Sequence, residues 1–403
     1  MNILFLTITR FSDINANGIY TDLMRKFKNE GHKVYVVTPS ERRYNEEVGL
    51  IDNEHIQILK VKTLNIQKTN IIEKGIATLT IEGKFLREIK SEFDKIKFDL
   101  ILYTTPPITF SKVIKFIKKR DGALSYLLLK DIFPQNAVDL GMLKYGGFLH
   151  RFFNKKEKVL YDISDFIGCM SPANVSFLIK NNPSLDANKI EVNPNSIEPF
   201  LKPLKIEEKI NIRTKFNIPV DHTVFIYGGN LGKPQGIDFL VDVLLSNKGN
   251  SNVFFVIVGG GTEYHLIEKA LKAFEIKNAF LLKSLPKKEY NELLLACDIG
   301  LIFLDKRFTI PNFPSRILSY MEARMPILAA TDKNTDVGKI LEENELGLWV
   351  ESGNLDDFNQ KLQQLIISPA NRINMGINSY QFLLDNYCVK HTYQIIMNKI
   401  SNV

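Results

Sequence analysis

Cysteine is scarce in this 403-residue chain: Cys169, Cys297 and Cys388 stand far apart and form neither a Cys-x-x-Cys pair nor a zinc spacing. That excludes a disulfide-stapled scaffold, and it makes all three expected to be small buried apolar groups in a reducing compartment. The six histidines are scattered, and His-x-x-x-His, Asp-x-Asp and Gly-x-Ser-x-Gly are all missing, so no metal and no hydrolase triad is expected. No apolar run reaches the ~18–20 residues of a transmembrane helix. The opening stretch Met1–Ile8 has no basic lead-in and no small-residue cleavage site, so no signal peptide is expected.

What is present is ordinary in bulk and uneven in detail. The chain is 45% hydrophobic and 24% charged, which suits a soluble globular protein of two domains. Its net charge is +7. Residues 1–195 hold 29 Lys+Arg against 22 Asp+Glu, and residues 196–403 hold 23 of each, so the whole excess lies in the first half. Such asymmetry points to an anionic partner for that half. The densest clusters are Lys112, Lys115, Lys118, Lys119 and Arg120, then Lys144, Arg151, Lys155, Lys156 and Lys158, interleaved with Ile114, Phe116, Phe148, Leu149, Phe152 and Phe153. Basic amphipathic segments of this kind suit an anionic lipid surface, and equally a solvated helix face packed inward. No helix-turn-helix, RNP-type or zinc-finger pattern occurs, so nucleic acid is not an expected partner.

Strand and helix alternate throughout. Near-continuous apolar runs predict strands at 3–8, 33–38, 56–61, 99–103, 124–129 and 166–170, with helices between most of them. Three prolines within Pro194–Pro203 then mark a linker, with Asn195 and Ser196 as hinge residues. The alternation restarts with strands at 223–227, 253–258, 279–282, 299–303 and 326–329, and closes on helical patterns at 355–366 and 380–400. Two doubly wound parallel-sheet α/β domains follow from this pattern. Ligands of such sheets bind at the strands' carboxyl ends, which places the expected site in a cleft between the domains.

Several segments suit an anion. Gly18 opens the first helix, where bare amides favour negative charge, although an ordinary turn glycine reads equally well. Tyr227–Gly236 runs from a buried strand into Gly228, Gly229, Asn230, Gly232, Lys233, Gln235 and Gly236, a loop able to cradle a diphosphate with Lys233 as its charge. Gly259-Gly260-Gly261 also follows a strand, but Tyr264 stands where a dinucleotide fingerprint needs its third glycine. In Phe313-Pro314-Ser315-Arg316, Pro314 suits a helix's first turn, Arg316 can meet phosphate oxygens bidentately, and Ser319 lies one turn on. Lys130-Asp131-Ile132-Phe133-Pro134 follows the strand at 124–129. Asp131 there is either a catalytic group at a strand end or the cap of the next short helix.

In order and spacing these marks resemble the retaining glycosyltransferases of family 4, with the GT-B fold. The resemblance also takes in Gly31-His32-Lys33-Val34, Asp165, Met170-Ser171-Pro172 and Pro194-Asn195-Ser196-Ile197. It runs closest to the bacterial capsule and O-antigen transferases, including N-acetyl-L-fucosamine transferases. It implies two Rossmann-like domains facing across a cleft, an acceptor-binding one over 1–193 and a nucleotide-sugar-binding one over 194–385, with a helix over 386–403 crossing back to the first. The donor site would comprise Gly18, Gly229, Asn230, Lys233, Gln235, Gly236, Gly260, Pro314, Ser315, Arg316 and Ser319. Catalysis would fall to Asp131, Lys130 and Arg316, with no metal and no cofactor.

The chain departs from the family pattern in two places. Asn230 and Gln235 stand where that pattern has Arg and Lys, and Pro311 and Ser319 stand where it has two glutamates eight apart. The expected reaction is transfer of an N-acetylated or deoxy hexose, with retention, from a nucleoside diphosphate, UDP by expectation. Its acceptor would be a polyprenyl-diphosphate-linked saccharide at the cytoplasmic face of the plasma membrane. A nucleotide-sugar 2-epimerase and a non-catalytic sugar-nucleotide sensor are the other readings.

Overall fold

The computed structural model describes residues 1–11, 13–53, 55–66 and 71–401. It divides the chain into two units, one made of 1–198 with 388–403 and the other of 199–387. The first unit carries eight strands: β1 (Asn2–Leu6), β2 (Lys33–Glu41), β3 (Gly49–Asn53), β4 (Ile56–Thr63), β5 (Leu100–Thr104), β6 (Leu124–Leu129), β7 (Phe166–Cys169) and β8 (Ile190–Val192). They lie in the order β3-β4-β2-β1-β5-β6-β7-β8. All neighbours are parallel except the β3–β4 pair at one edge. Alternate residues of β1 face opposite cores: Leu4 and Leu6 pack with Phe85 and Ile114 on one face, Ile3 and Phe5 with Met24 and Phe27 on the other. Both faces being dry is why β1 reads as an unbroken apolar run rather than an alternating one.

The second unit carries β9 (Thr223–Asn230), β10 (Val253–Gly260), β11 (Ala279–Leu282), β12 (Ile299–Phe303), β13 (Ile327–Thr331) and β14 (Gly347–Glu351). Their order is β11-β10-β9-β12-β13-β14, parallel throughout. Strand order reverses between β9 and β12, and crevices beyond the carboxyl ends at such a reversal are where open α/β sheets take ligands.

Expected and observed elements differ in informative places. β3, β8 and β14 and the helix Ile206–Lys215 lack the long apolar run or strong period that marks an element in sequence. The helical pattern read over 380–400 is two helices, Pro369–Asn386 and Val389–Ser401, broken at Tyr387 and Cys388. The break exists because Cys388 bridges to Ile197 in strand fashion and the Val389 amide donates to the Ile197 carbonyl at 3.0 Å. The units accordingly divide after Glu198 and after Tyr387, whereas the resemblance implies 193 and 385. Asn195 and Ser196, expected as a hinge, are buried in the first unit. The Ser196 hydroxyl lies 2.7 Å from that of Thr392, and the Glu198 amide donates to Asp22 Oδ2 at 2.9 Å.

Asp22 is the knot of this arrangement. Its carboxylate also accepts from the Gly18 amide at 2.9 Å and from Arg25 at 2.5 Å, and its side chain is 1% exposed. Truncating it leaves the Gly18 and Glu198 amides without this acceptor, at about 1–3 kcal/mol for each such buried group, while Arg25 keeps the Ile14 and Ala16 carbonyls. Asp22→Ala should therefore lower the first unit's thermal midpoint and speed proteolysis near residue 198; an unchanged melt and cleavage pattern would refute this account of the segment.

Candidate active site

At the carboxyl end of β9 the chain stays extended through Gly228, Gly229 and Asn230, each registered with β10. Much of the expected phosphate loop is therefore strand. A Cβ on Gly259 would sit 1.8 Å from the Gly229 carbonyl oxygen, and one on Gly261 would sit 2.1 Å from that of Leu231. Those two glycines serve backbone packing. Gly260 has room, with its nearest neighbour Ser284 Oγ at 3.8 Å from a built Cβ. Gly236 is left-handed and precedes the helix Ile237–Ser246, as a loop-to-helix turn requires.

Beside Gly229 lies the guanidinium of Arg316. The helix that carries it spans Arg316–Glu322, so Pro314 stands just ahead of the helix and not in its first turn; Ser315 is the N-cap residue and is exposed. The Arg316 side chain folds back onto the sheet. Its Cζ sits 4.3 Å over the Tyr227 ring, and a Cβ on Gly229 would come within 3.2 Å of its Nη2. Nη1 is buried and has no hydrogen-bond partner among the described residues. No carboxylate lies within ion-pair distance of it among the described residues. Tyr290 and Tyr320 complete the surroundings, and burial holds both phenols above their ordinary pKa. Tyr320 is itself anchored, donating to the Leu301 carbonyl at 3.0 Å and accepting from the Gly228 amide at 3.2 Å. The three tyrosines could not be singled out in sequence, because Tyr227 reads as buried strand and Tyr290 and Tyr320 as the apolar side of helices.

The departures from the family pattern meet each other. Asn230 Nδ2 donates to Gln235 Oε1 at 2.7 Å, and the Gly232 amide donates to the same oxygen at 3.3 Å. Two neutral amides thus close the turn where two cations were expected. Lys233 is exposed on that turn and shares its rim with Glu263, whose carboxyl is raised by burial and by Asp238, while Lys233 pulls it down. Lys233 therefore has an acidic neighbour on that rim, whereas Arg316 has no carboxylate within ion-pair distance among the described residues. Ser319 is half-buried. Glu322 is committed elsewhere: its Oε1 accepts from the Phe200 and Leu201 amides at 2.7 and 3.1 Å.

In the first unit, Lys130 and Asp131 follow β6, and both amides point at Thr105 Oγ1, at 3.0 and 3.3 Å. Asp131 caps no helix, since the next one, Gln135–Asp139, has Pro134 as its N-cap residue. Its Oδ1 accepts from Asn136 Nδ2 at 2.8 Å. Lys130 Nζ donates to the Asn193 carbonyl at 2.9 Å. Burial pushes this amine down to about 7 and pushes the nearby Glu157 carboxyl up to about 7. The Gly18 amide, expected to be open to an anion, is taken by Asp22. Asp165 is structural, gripping Lys118 at 2.7 Å and the Ser125 amide at 2.9 Å. Among the described residues no group of three or more His, Cys, Asp or Glu is placed to hold a metal ion, and no helix is long and apolar enough to cross a membrane.

Two parallel-sheet α/β units in one chain are the architecture of the GT-B glycosyltransferases. Sucrose-phosphate synthase from Thermosynechococcus elongatus shares this fold at a TM-score of 0.76 with 15% identity, over 100% of this chain and 98% of that one. Anabaena Alr3699/HepE, solved in complex with UDP-glucose, shares it at 0.70 with 15% identity over 100% of both chains. Residues 208–382 match the family Glycosyl transferases group 1. The chain is also 25% identical, over 282 residues, to the probable glycosyltransferase WbjE of Pseudomonas aeruginosa, which covers 70% of this chain and 68% of that protein.

The packing of Arg316 on Gly229 makes a paired prediction. Gly229 has φ +138°, so Gly229→Ala adds backbone strain and pushes on the guanidinium. Gly260→Ala meets nothing closer than 3.8 Å. The first should lower the thermal midpoint by several degrees, at ~2–4 °C per kcal/mol, and the second should leave it within about a degree. Equal effects would show that the close approach does not matter.

Proposed function

We propose that this glycosyltransferase moves a hexosyl group, N-acetylated or deoxy, from UDP to a polyprenyl-diphosphate-linked saccharide, with retention, in capsule or O-antigen synthesis. The observation that carries the donor assignment is the buried Arg316 guanidinium, which has an unpartnered Nη1 and no carboxylate, at the carboxyl end of β9. A buried cation without a counter-ion is costly, and a ligand diphosphate is the anion that would offset it. HepE's complex with UDP-glucose on the same fold supports a uridine donor. The resemblance of the Lys130–Pro134 and Phe313–Arg316 segments to capsule and O-antigen transferases supports the acceptor class.

In this reading Arg316 takes the departing diphosphate, with the Ser315 region and the turn at 229–236 supplying backbone amides and Lys233 a secondary charge. Ser319 reaches the ribose, because Glu322 is occupied by the Phe200 and Leu201 amides. Asp131 orients the acceptor hydroxyl or stabilises the oxocarbenium character of the sugar. Leaving-group charge is met by side-chain cations and amides, so no divalent ion and no other cofactor enters the step. The chain works in the cytoplasm on the inner face of the plasma membrane, held there by the basic helices of the first unit. Exposed Tyr145, Phe148 and Leu149 beside Lys144 and Arg151 suit that contact.

Arg316→Ala should keep its fold by circular dichroism, weaken UDP binding in calorimetry at least tenfold, and cut transfer at least a hundredfold; wild-type affinity in that variant would remove Arg316 from the site. Turnover should also persist in excess EDTA, and reversible loss of activity there would overturn the metal-free reading.

A further inference from the structure

Two basic amphipathic segments of the first unit suit either a lipid surface or an inward-packed helix, and the structure separates them. The helix Ser111–Asp121 is packed inward. Val113, Ile114 and Ile117 are buried, and Phe116 is half-buried, its ring centroid 4.6 Å from Lys90 Nζ and 5.6 Å from Arg120 Cζ. Two of its cations are committed, Lys118 to Asp165 at 2.7 Å and Arg120 to Asp121 at 2.6 Å. No large apolar side chain of that helix is exposed.

The segment that opens the helix Phe148–Ile163 is the opposite case. Met142, Tyr145, Phe148 and Leu149 are all exposed, Tyr145 at 73% and Phe148 at 84%. Single exposed apolar residues are ordinary, whereas four large ones within eight residues mark a contact surface. Helical spacing sets Arg151 and Lys155 on the same face as Phe148, one and two turns further on. Both are exposed, as is Lys144. From Leu140 to Lys156 the chain holds Lys144, Arg151, Lys155 and Lys156 and no Asp or Glu. None of these four has a carboxylate within ion-pair distance among the described residues. The flanking acids are engaged: Asp139 accepts from Gln135 Nε2 at 2.7 Å, and the buried Glu157 accepts from the Tyr161 hydroxyl at 2.7 Å.

The backbone under these side chains is fixed. Gly141 and Gly146 turn it with left-handed φ values of +68° and +70°. The Met142 amide donates to the Ala137 carbonyl at 2.8 Å, and the Gly147 amide to that of Lys144 at 3.0 Å. Nδ1 of the buried His150 accepts from the Gly146 amide at 3.2 Å, and its ring centroid lies 4.9 Å from that of Tyr145. A surface already ordered in this way loses little backbone freedom on contact.

We infer that the turn Met142–Leu149 is the element that enters an anionic phospholipid bilayer, its apolar side chains reaching the acyl boundary while Lys144, Arg151 and Lys155 meet lipid phosphates. The inference rests on the membrane reading above and narrows it from two basic segments to one. A lipid surface answers both halves of the patch, hydrocarbon for the apolar groups and phosphate for the cations. Tyr145, with an apolar ring and a hydroxyl tip, suits the depth between them. Insertion is shallow, because the exposed apolar groups end at Leu149 and the outer side of the helix continues with Arg151 and Lys155.

Flotation of the full chain with vesicles tests this, with phosphatidylcholine mixed with phosphatidylglycerol in one arm and phosphatidylcholine alone in the other. Wild type should bind the mixed vesicles at least tenfold more tightly, and added salt should weaken that binding. Phe148→Ser with Leu149→Ser should lose at least tenfold on the mixed vesicles and keep its melting point, since both side chains are exposed. Lys144→Gln with Arg151→Gln and Lys155→Gln should lose at least tenfold as well. Lys112→Gln with Lys115→Gln and Lys119→Gln removes the same charge from the inward-packed helix and should stay within about threefold of wild type. Equal losses from the two charge triples, or a serine pair that binds as wild type does, would overturn the turn and leave the membrane reading intact. A wild type that binds neither vesicle would remove both, while UDP binding in calorimetry without lipid reads the donor site by itself. Sedimentation velocity without lipid reads the rival occupant: a dimer dissolved by the serine pair would overturn the inference and give the turn to a second copy of the chain.

Discussion

The second unit is organised around a cation it does not neutralise. Arg316 is pressed between the Tyr227 ring and the backbone of Gly229, with Tyr290 and Tyr320 behind it. An aromatic face attracts a guanidinium by roughly 0.5–2 kcal/mol, far less than the cost of removing it from water. The tyrosines therefore hold the group in place without satisfying it. What they secure is geometry: Gly229 allows the approach, Tyr320 ties β9 to β12 through Gly228 and Leu301, and the helix Arg316–Glu322 is fixed from its far end by Glu322. A guanidinium held this rigidly loses little entropy on meeting an anion.

That arrangement also explains why the turn at 229–236 tolerates its composition. Asn230 and Gln235 hydrogen-bond to each other, so they form a neutral clasp rather than two vacant cation positions. A change at only one of them would leave an amide facing a charge or a gap. Moving the cation from an exposed turn onto a helix-borne, ring-stacked side chain exchanges a solvated charge for a desolvated one. Desolvated charge interacts more strongly with an anion because less water competes for it.

The sequence made legible whatever rests on local pattern. β1, β9 and β12 show as apolar runs because both faces of each sheet are covered. Glycines after β9 and β10 announced a tight place, although which of them serve packing could be told only from the 1.8 Å and 2.1 Å clashes at Gly259 and Gly261. Edge elements such as β3, β8 and β14 stayed hidden, since a short strand has too few residues to establish a period. Long-range commitments were hidden for a different reason. That Gly18 belongs to Asp22, that Glu322 belongs to Phe200 and Leu201, and that Asn195 and Ser196 are buried beside Thr392 all depend on partners that the chain brings together only in three dimensions. Each is a residue whose functional and structural readings look identical in one dimension.

The two units share one further property. Each presents, at the carboxyl end of an inner strand or the helix beside it, a buried basic group with no carboxylate partner among the described residues: Arg316 against β9 and Lys130 after β6. Elsewhere the fold pairs its buried charges readily, as Arg213 with Asp298 and Arg120 with Asp121 show. Pairing is thus available to this sequence and is withheld at these two places. The two respond to burial differently because their chemistry differs. A guanidinium keeps its proton in any protein environment and so stays a fixed charge, whereas an amine sheds its proton as water is removed. Burial of the same kind therefore leaves Arg316 a fixed charge and draws the Lys130 amine toward its neutral form.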